Sequence, residues 1–219
     1  MLKADLHIHT EYSMDCGMSL QQAINGCLKT GINCIAVADH GNIEGALKMQ
    51  SIAPFAVIVA EEILTPHGEI IGMFLKDGIP SGLSVEQAIS RIKAQGGLVC
   101  MPHPFDMIGR AGLGGRILEE VVEQIDIIEA FNSRSPFPWC SAKAQAFAEK
   151  YGIPKSAGSD AHTPSEIGNA YVEMPEFNGR DDFLSALVNG KVYGHMTNPI
   201  AHFASAWAKL KRRVKNGWQ

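Results

Sequence analysis

The chain has 219 residues, enough for one large α/β domain or two small ones with a sizeable core. Its apolar content of 46%, charged content of 19% and net charge of -4 are typical of a globular protein and argue against a disordered chain or a chain-wide nucleic-acid-binding surface. No apolar stretch approaches the roughly eighteen residues of a membrane span, and no basic region followed by an apolar run opens the chain. We therefore expect a cytoplasmic protein with no membrane association.

Helical patterns alternate with short apolar runs along the chain. A helix is predicted over residues 19–29, with Ser19 as its N-cap and Gly31 after its end. An apolar strand at 56–60, a turn at 66–68 and a further run at 69–75 predict an antiparallel hairpin. The other predicted strands span 34–38, 98–101, 125–130 and 154–157, and the other predicted helices span about 85–95, 118–124 and 141–151.

The cysteines are scattered and show no Cys-x-x-Cys spacing, which predicts neither a disulfide framework nor a thiolate zinc site. We interpret them as small buried apolar residues in a reducing compartment. A nucleophilic cysteine paired with a distant histidine stays open as an alternative, but no local feature favours one of the five. They are Cys16, Cys27, Cys34, Cys100 and Cys140.

Polar side chains occur at or just beyond the end of nearly every predicted strand. Strands that are apolar on both faces and alternate with helices indicate a parallel sheet covered on both sides. An open sheet would concentrate such groups at one switch point, whereas the C-terminal mouth of a barrel collects them from many strands. We therefore predict a distorted barrel of about seven strands, forming one domain over 1–219 with a C-terminal helix from about 201. The strand-end residues are His9, His40, Glu62, His103, Asn132, Asp160 and His162.

The opening stretch, residues 5–10, alternates metal-capable and apolar side chains. On a strand, Asp5, His7 and His9 would share one face, and the two imidazoles could converge on a divalent ion. Asp160 and His162 repeat the same spacing. Any one of these histidines alone is more often an ordinary core or edge-strand residue, but the set at strand ends favours a metal centre. Imidazole and carboxylate donors without thiolate suit two or three Zn²⁺, Mn²⁺ or Fe²⁺ ions better than Ca²⁺ or Mg²⁺.

Five short motifs occur in order along nearly the whole chain. They are His7-Ile8-His9-Thr10 with Asp15, Ala38-Asp39-His40, Glu61-Glu62, Pro102-His103-Pro104, and Gly158-Ser159-Asp160-Ala161-His162-Thr163. In this order they resemble the motifs of the polymerase and histidinol phosphatase (PHP) family. The resemblance implies a distorted (β/α)7 TIM-like barrel with a trinuclear metal centre at the C-terminal face of the strands, and hydrolysis of phosphate esters.

The resemblance also implies a ligand set. His7, His9, Glu62 and Asp160 would hold the first ion, Glu62 would bridge to a second ion bound by His103, and the third ion would take Asp15, His40 and His162. Many members supply a further histidine to the second ion, but here residues 68–72 read Gly-Glu-Ile-Ile-Gly. His67 is close by, yet at a turn we interpret it as solvated. The second ion would then be weakly held.

The adjacent glutamates cannot normally both reach one metal pair, because successive strand residues point to opposite sides. Periodicity leaves the choice open, and the resemblance favours Glu62 over Glu61. The implied nucleophile is a metal-bridging hydroxide held by Glu62 and Asp160. Arg134, Asn132 and Arg110 are the candidates for phosphate contact, with a solvated surface role favoured for Arg110.

Two further segments allow only less specific predictions. The glycine-rich segment 109–115 is predicted to be a mobile loop over the barrel mouth, because it lacks the strand-to-helix context of a nucleotide motif. A basic cluster near the C-terminus could contact nucleic acid, but a solvated helix end is favoured. The cluster comprises Lys209, Lys211, Arg212, Arg213 and Lys215.

Together these features predict a metal-dependent phosphoesterase. Its substrate would be a small phosphomonoester or a nucleotide or oligonucleotide. No sequence feature indicates an obligate protein partner. The alternative is a metal-binding PHP module that acts as a non-catalytic scaffold or regulatory partner. Ligands at every motif and the lack of an attached polymerase region favour the enzyme.

Overall fold

The computed structural model describes residues 1–106 and 112–197. Arg110, the basic cluster and the predicted helix from about 201 lie outside these ranges. The described strands are β1 Leu2–Ile8, β2 Cys34–Val37, β3 Ala56–Thr65, β4 Gly68–Met73, β5 Leu98–Met101, β6 Ile127–Asn132, β7 Lys155–Gly158, β8 Ala170–Met174 and β9 Lys191–Gly194. The described helices are α1 Leu20–Thr30, α2 Glu44–Ile52, α3 Val85–Ala94, α4 Gly114–Glu120, α5 Pro138–Tyr151 and α6 Arg180–Val188, with a 3-10 turn at Val122–Gln124.

The strands form one sheet in the order β7-β6-β5-β4-β3-β2-β1-β8-β9. β1, β2 and β3 are parallel to one another, as are β5, β6 and β7. β4 runs antiparallel between β3 and β5. A parallel bridge between Ile8 and Ala161 brings the β7 end back to β1, so the sheet is nearly closed. The predicted distorted seven-stranded barrel is therefore confirmed, with β8 and β9 added antiparallel beside β1.

Local capping signals mark two of the predicted helices, α1 and α3. Ser19 caps α1 through a capping box with Gln22, and Gly31 ends it in the left-handed conformation at φ 75°. Ser84 and Gln87 form the same box on α3. By contrast, α2 and α6 begin without any side-chain cap, and they were not predicted.

Three predicted bounds were wrong. β3 does not end before Glu61 but continues to Thr65, because pairing with β4 satisfies its backbone over that whole length. Gly114 and Gly115, expected in a loop, begin α4, which starts before the predicted 118. α5 also starts early, because Pro138 has the backbone angle that suits the first turn of a helix.

One apolar layer lies on each face of the sheet. Inside the barrel lie mostly small or linear side chains such as Ala36, Ala60 and Met73. Outside, residues such as Ile35 and Ile89 pack between the sheet and the helices. No described helix is both long enough and apolar enough to cross a bilayer.

Candidate metal centre

A break in the pairing of β1 with β2 decides which side chains of the first motif enter the barrel. Asp5 pairs with Ile35 and Ile8 pairs with Val37, so the register shifts by one residue between them. Both pairs face the outer layer, which leaves His7 and His9 on the inner side. The expectation that Asp5 shares their face was therefore wrong. Its carboxylate instead accepts the Ser159 N–H at 2.8 Å and the Ser159 hydroxyl at 2.5 Å.

Glu62 lies at the centre of the donor cluster. Its Oε2 atom is 3.4 Å from His7 Nε2, 3.3 Å from His9 Nε2 and 3.4 Å from His40 Nε2. Its Oε1 atom is 3.1 Å from His103 Nε2. Glu61 points to the outer face, where its Oε2 atom accepts the Ile79 N–H at 2.7 Å. The alternation expected for this strand is confirmed, with Glu62 as the inward residue.

The segment after β7 supplies the other side of the cluster. Asp160 Oδ1 lies 3.4 Å from His9 Nε2. His162 Nε2 lies 3.2 Å from Asp15 Oδ2, and His40 Nε2 lies 3.6 Å from the same oxygen. The eight predicted ligands are thus brought together in overlapping groups whose donor atoms lie within 4.8 Å of one another. The groups are His7 with Glu62 and His103, His7 with His9 and Asp160, His9 with His40 and Glu62, and His9 with Asp15 and His162.

Strained backbone marks two of these positions. Asp160 has φ 54° and His103 has φ 27°, values that side-chain-bearing residues rarely adopt. Both lie just beyond the C-terminal end of a strand, where the chain must turn a side chain back over the barrel mouth. Such angles cost free energy and are found mainly at functional sites.

The donor set fits divalent metal ions. Ligands held about 2.1 Å from one ion lie about 3.0 to 3.4 Å from each other at octahedral or tetrahedral angles. The Nε2 to carboxylate separations of 3.1–3.6 Å match that spacing. His7 Nε2 and His9 Nε2 are 3.1 Å apart, which is the distance of a hydrogen bond between the rings and also that of two ligands on one ion. The chemistry is imidazole and carboxylate throughout, which suits Zn²⁺, Mn²⁺ or Fe²⁺.

The cluster is strongly coupled electrostatically. Burial alone would lower the pKa of His9, but the carboxylates of Asp160 and Glu62 outweigh it and raise that pKa to about 10. Burial is outweighed in the same way at His7, whose pKa is well above its ordinary value. Burial and the charge on His9 lower the pKa of His162 to about 4. Protons on some imidazoles therefore balance the acids, and an ion that binds here displaces them.

Glu129 positions two ligands from behind. Its Oε1 atom lies 3.0 Å from His7 Nδ1, the ring nitrogen opposite the cluster. Its Oε2 atom accepts the His103 N–H at 2.7 Å and an Asn132 amide hydrogen at 2.9 Å. A carboxylate behind a histidine fixes the ring and its tautomer. Glu129 was not predicted as a site residue, although it is the one acid of a largely apolar strand, which was the available signal.

Asp39 fixes the segment that follows His9. Its carboxylate accepts the Thr10 N–H and the Thr10 hydroxyl, each at 2.6 Å, and the whole side chain is buried. Burial raises its pKa, although His9 and Thr10 oppose that shift. This contact holds the first motif against the end of β2, which carries His40.

The predicted phosphate-binding residues have protein partners. The Arg134 guanidinium is buried, lies 3.3 Å from Glu166 Oε1 and also contacts His162 Nδ1. Asn132 donates to Glu129 at 2.9 Å and to Asp160 Oδ2 at 3.2 Å. Their contact with a substrate phosphate stays a prediction, as does that of Arg110, which lies outside the described residues.

The segment after Glu62 differs from what the motif comparison suggested. His67 is exposed in the turn between β3 and β4, as expected for a solvated residue. Glu69, which was not among the predicted ligands, lies with its Oε2 atom 3.4 Å from His103 Nε2.

Solved structures with a similar fold share little sequence with this chain. A two-domain protein from Bacteroides vulgatus, containing a predicted PHP-like metal-dependent phosphoesterase, superposes with a TM-score of 0.65 at 18% identity, covering 94% of this chain and 69% of that one. PsfC from Pseudomonas syringae superposes with a TM-score of 0.66 at 14% identity, and the match covers 97% of this chain and 98% of PsfC. An amidohydrolase from Chromobacterium violaceum with bound sulfate and no metal superposes with a TM-score of 0.60 at 15% identity, and the match covers 93% of this chain and 96% of that one. At these identities the likeness shows a common fold.

Sequence comparisons are more specific. Two uncharacterized proteins of Methanocaldococcus jannaschii are similar: one is 36% identical over 181 residues, which are 81% of this chain and 72% of that protein. The other is 38% identical over 144 residues, which are 60% of this chain and 84% of that protein. The family model for the PHP domain matches residues 5–62, and a PHP-associated model matches residues 141–192. These segments carry seven of the eight clustered donors, all except His103, and the chain belongs to the PHP family.

Proposed function

We propose that this protein is a metal-dependent phosphoesterase that hydrolyses a small phosphomonoester or a nucleotide or oligonucleotide end. The observation that carries the proposal is the position of Glu62. Its two carboxylate oxygens face different imidazoles, Oε1 towards His103 and Oε2 towards His7 and His9. A carboxylate placed in this way can bridge two ions, which is the arrangement that phosphoryl hydrolysis uses.

We expect the described donors to hold two or three neighbouring ions. The family resemblance would assign His7, His9, Glu62 and Asp160 to one ion, Glu62 and His103 to a second, and Asp15, His40 and His162 to a third, and each of these donors lies in at least one of the four clustered groups. When bound, such ions act as Lewis acids and lower the pKa of bound water so that it attacks phosphorus near neutral pH.

The chain itself supplies the rigid frame that this chemistry needs. Glu129 orients His7, and Asp39 anchors the backbone after His9. Most of the donors are buried, while His40 is partly exposed. Solvent and substrate therefore reach the cluster at the C-terminal mouth of the barrel, and the remaining sides exclude water, which strengthens electrostatic interactions within the site.

The experiment is a substrate screen on one protein preparation in matched metal states. Chelator-stripped protein and protein reloaded with Mn²⁺, Zn²⁺ or Fe²⁺ are assayed against phosphomonoesters, nucleoside bisphosphates and short oligonucleotides. We expect phosphate release by reloaded protein only. Asp160→Ala and His9→Ala serve as background controls, since both donors lie at strand ends and their loss should abolish turnover while the chain stays folded.

Two outcomes would contradict the proposal. One is metal-loaded protein that hydrolyses none of the panel, which would favour a non-catalytic PHP module. The other is wild-type turnover by Asp160→Ala or His9→Ala, which would indicate a contaminating phosphatase or a different active site.

A further inference from the structure

The second ion has only Glu62 and His103 as ligands, because His7, the other donor clustered with them, is assigned to the first ion. Glu62 and His103 face each other across the barrel mouth, and residues 68–72 hold no histidine of the kind that many PHP family members supply to the second ion. A site with only two protein ligands would hold a divalent ion weakly. A further donor near His103 would change that expectation.

The register of the β3–β4 hairpin places such a donor there. Leu64 pairs directly with Glu69, and Glu62 pairs with Ile71. Directly opposed residues of an antiparallel pair share a face, and residues two apart on one strand share it too. Glu69 therefore projects to the inner side together with Glu62, one step closer to the turn.

Distances agree with that placement. His103 Nε2 lies 3.1 Å from Glu62 Oε1 and 3.4 Å from Glu69 Oε2. The His103 imidazole nitrogen is thus flanked by two carboxylates, but it carries at most one hydrogen to donate. Each of these two separations is in the range for two neighbouring ligands of one ion. Glu69 is not in the four clustered groups, so its carboxylate would have to rotate towards Glu62 to share that ion. The Glu69 side chain is 14% exposed, so it lies at the rim, where an incoming ion can reach it.

We propose that Glu69 is a metal ligand and completes the second site with Glu62 and His103. The site then has two carboxylates and one imidazole. Oxygen donors favour Mn²⁺ or Fe²⁺ over Zn²⁺ relative to a site richer in imidazole. This inference rests on the metal binding in the proposed function, and it does not depend on hydrolysis.

The competing explanation is a simple ion pair between Glu69 and His103 with no metal. The two explanations predict different effects on metal binding when the Glu69 charge is removed. If Glu69 is a ligand, Glu69→Gln weakens one site at least about tenfold, a loss that mutation of even an outer-shell partner can cause. If Glu69 only pairs with His103, affinity can still fall, but the number of bound ions stays unchanged in Glu69→Gln and the preference between Mn²⁺ and Zn²⁺ stays unchanged in Glu69→His, because only a ligand changes the donor set of the site.

The test is metal binding by the full chain without substrate. Chelator-stripped wild type, Glu69→Gln and Glu69→His are titrated calorimetrically with Mn²⁺ and with Zn²⁺, and bound metal is counted by elemental analysis after buffer exchange. Glu61→Gln is the matched control, because it removes a buried carboxylate from the outer face of the same hairpin. We expect Glu69→Gln to retain about one ion fewer than wild type and Glu61→Gln to match wild type.

Glu69→His keeps the test decisive if the glutamine variant folds poorly. A histidine at this position restores a third ligand, so we expect full occupancy with a preference shifted from Mn²⁺ towards Zn²⁺. Unchanged occupancy in Glu69→Gln, or an unchanged Mn²⁺ to Zn²⁺ preference in Glu69→His, would overturn the assignment. Because the readout is bound metal, a protein that binds three ions but hydrolyses nothing would contradict the proposed function alone.

Discussion

Glu129 Oε1 lies 3.0 Å from Nδ1 of His7, and both side chains are buried. The contact leaves Nε2 of His7 facing the donor cluster and fixes the plane of the ring. Since Glu129 also holds the backbone N–H of His103, one carboxylate from β6 sets the position of ligands on two other segments.

Glu129→Gln should weaken metal binding without removing any ligand. The amide replaces one acceptor oxygen with a donor, so it cannot accept hydrogen bonds from His7 and His103 together. We expect a loss of about 10- to 100-fold in affinity for the tightest ion, measured by competition with a chromophoric chelator. Glu119→Gln, on the exposed surface beside Lys150, is the control. Wild-type metal affinity in Glu129→Gln would show that the Glu129 contact with His7 does not contribute to metal binding.

The adjacent glutamates should respond very differently to the same substitution. Glu62→Gln is expected to lose most activity and at least one ion, because a neutral amide poorly replaces a bridging carboxylate. Glu61→Gln should keep most of both, since its carbonyl oxygen can still accept the Ile79 N–H. Activity and bound metal are measured side by side. The reverse pattern would mean that the inward face of β3 has been misassigned.

Arg134 should matter for stability. Its guanidinium and the Glu166 carboxylate are both 2% exposed, and Arg134→Ala leaves a buried acid without its cation. We expect the free energy of unfolding to fall by about 3–5 kcal/mol in urea titrations with chelator present. Arg116→Ala, whose pair with Glu120 is exposed, should cause no measurable change. If Arg134→Ala were as stable as wild type and only raised KM, Arg134 would be a phosphate contact instead.

The cysteines should be unreactive in the folded protein. All five are buried, and burial raises the pKa of Cys27 and Cys34 to about 12. At pH 8 these two thiols are almost fully protonated, and the thiol form is a poor nucleophile. A disulfide reagent at pH 8 should label native protein very slowly and label all five thiols in guanidinium. Fast native labelling of Cys34, located by mass spectrometry, would contradict its burial.

Much of the fold could be predicted because its signals are local. The capping boxes at Ser19 and Ser84 and the apolar runs each act within a few residues. The elements that were not predicted lack such signals. The helix α6 begins at Arg180 with no side-chain cap, and β8 and β9 are half-exposed strands that the surrounding sheet stabilises. Tertiary pairing then decided whether those residues became regular structure.

By itself the sequence determined which donors meet. His40, His103 and Asp160 follow strands whose C-terminal ends converge at one mouth, and that convergence follows from parallel strands in a barrel. Only the tertiary structure decided what surrounds them. The register shift in β1 turns Asp5 away from His7, and cross-strand pairing brings Glu69 to His103. The first depends on the register between distant segments, where a shift of one residue reverses every side chain. The second depends on how the β3–β4 hairpin packs beside the segment after β5, so a local pattern encodes neither outcome.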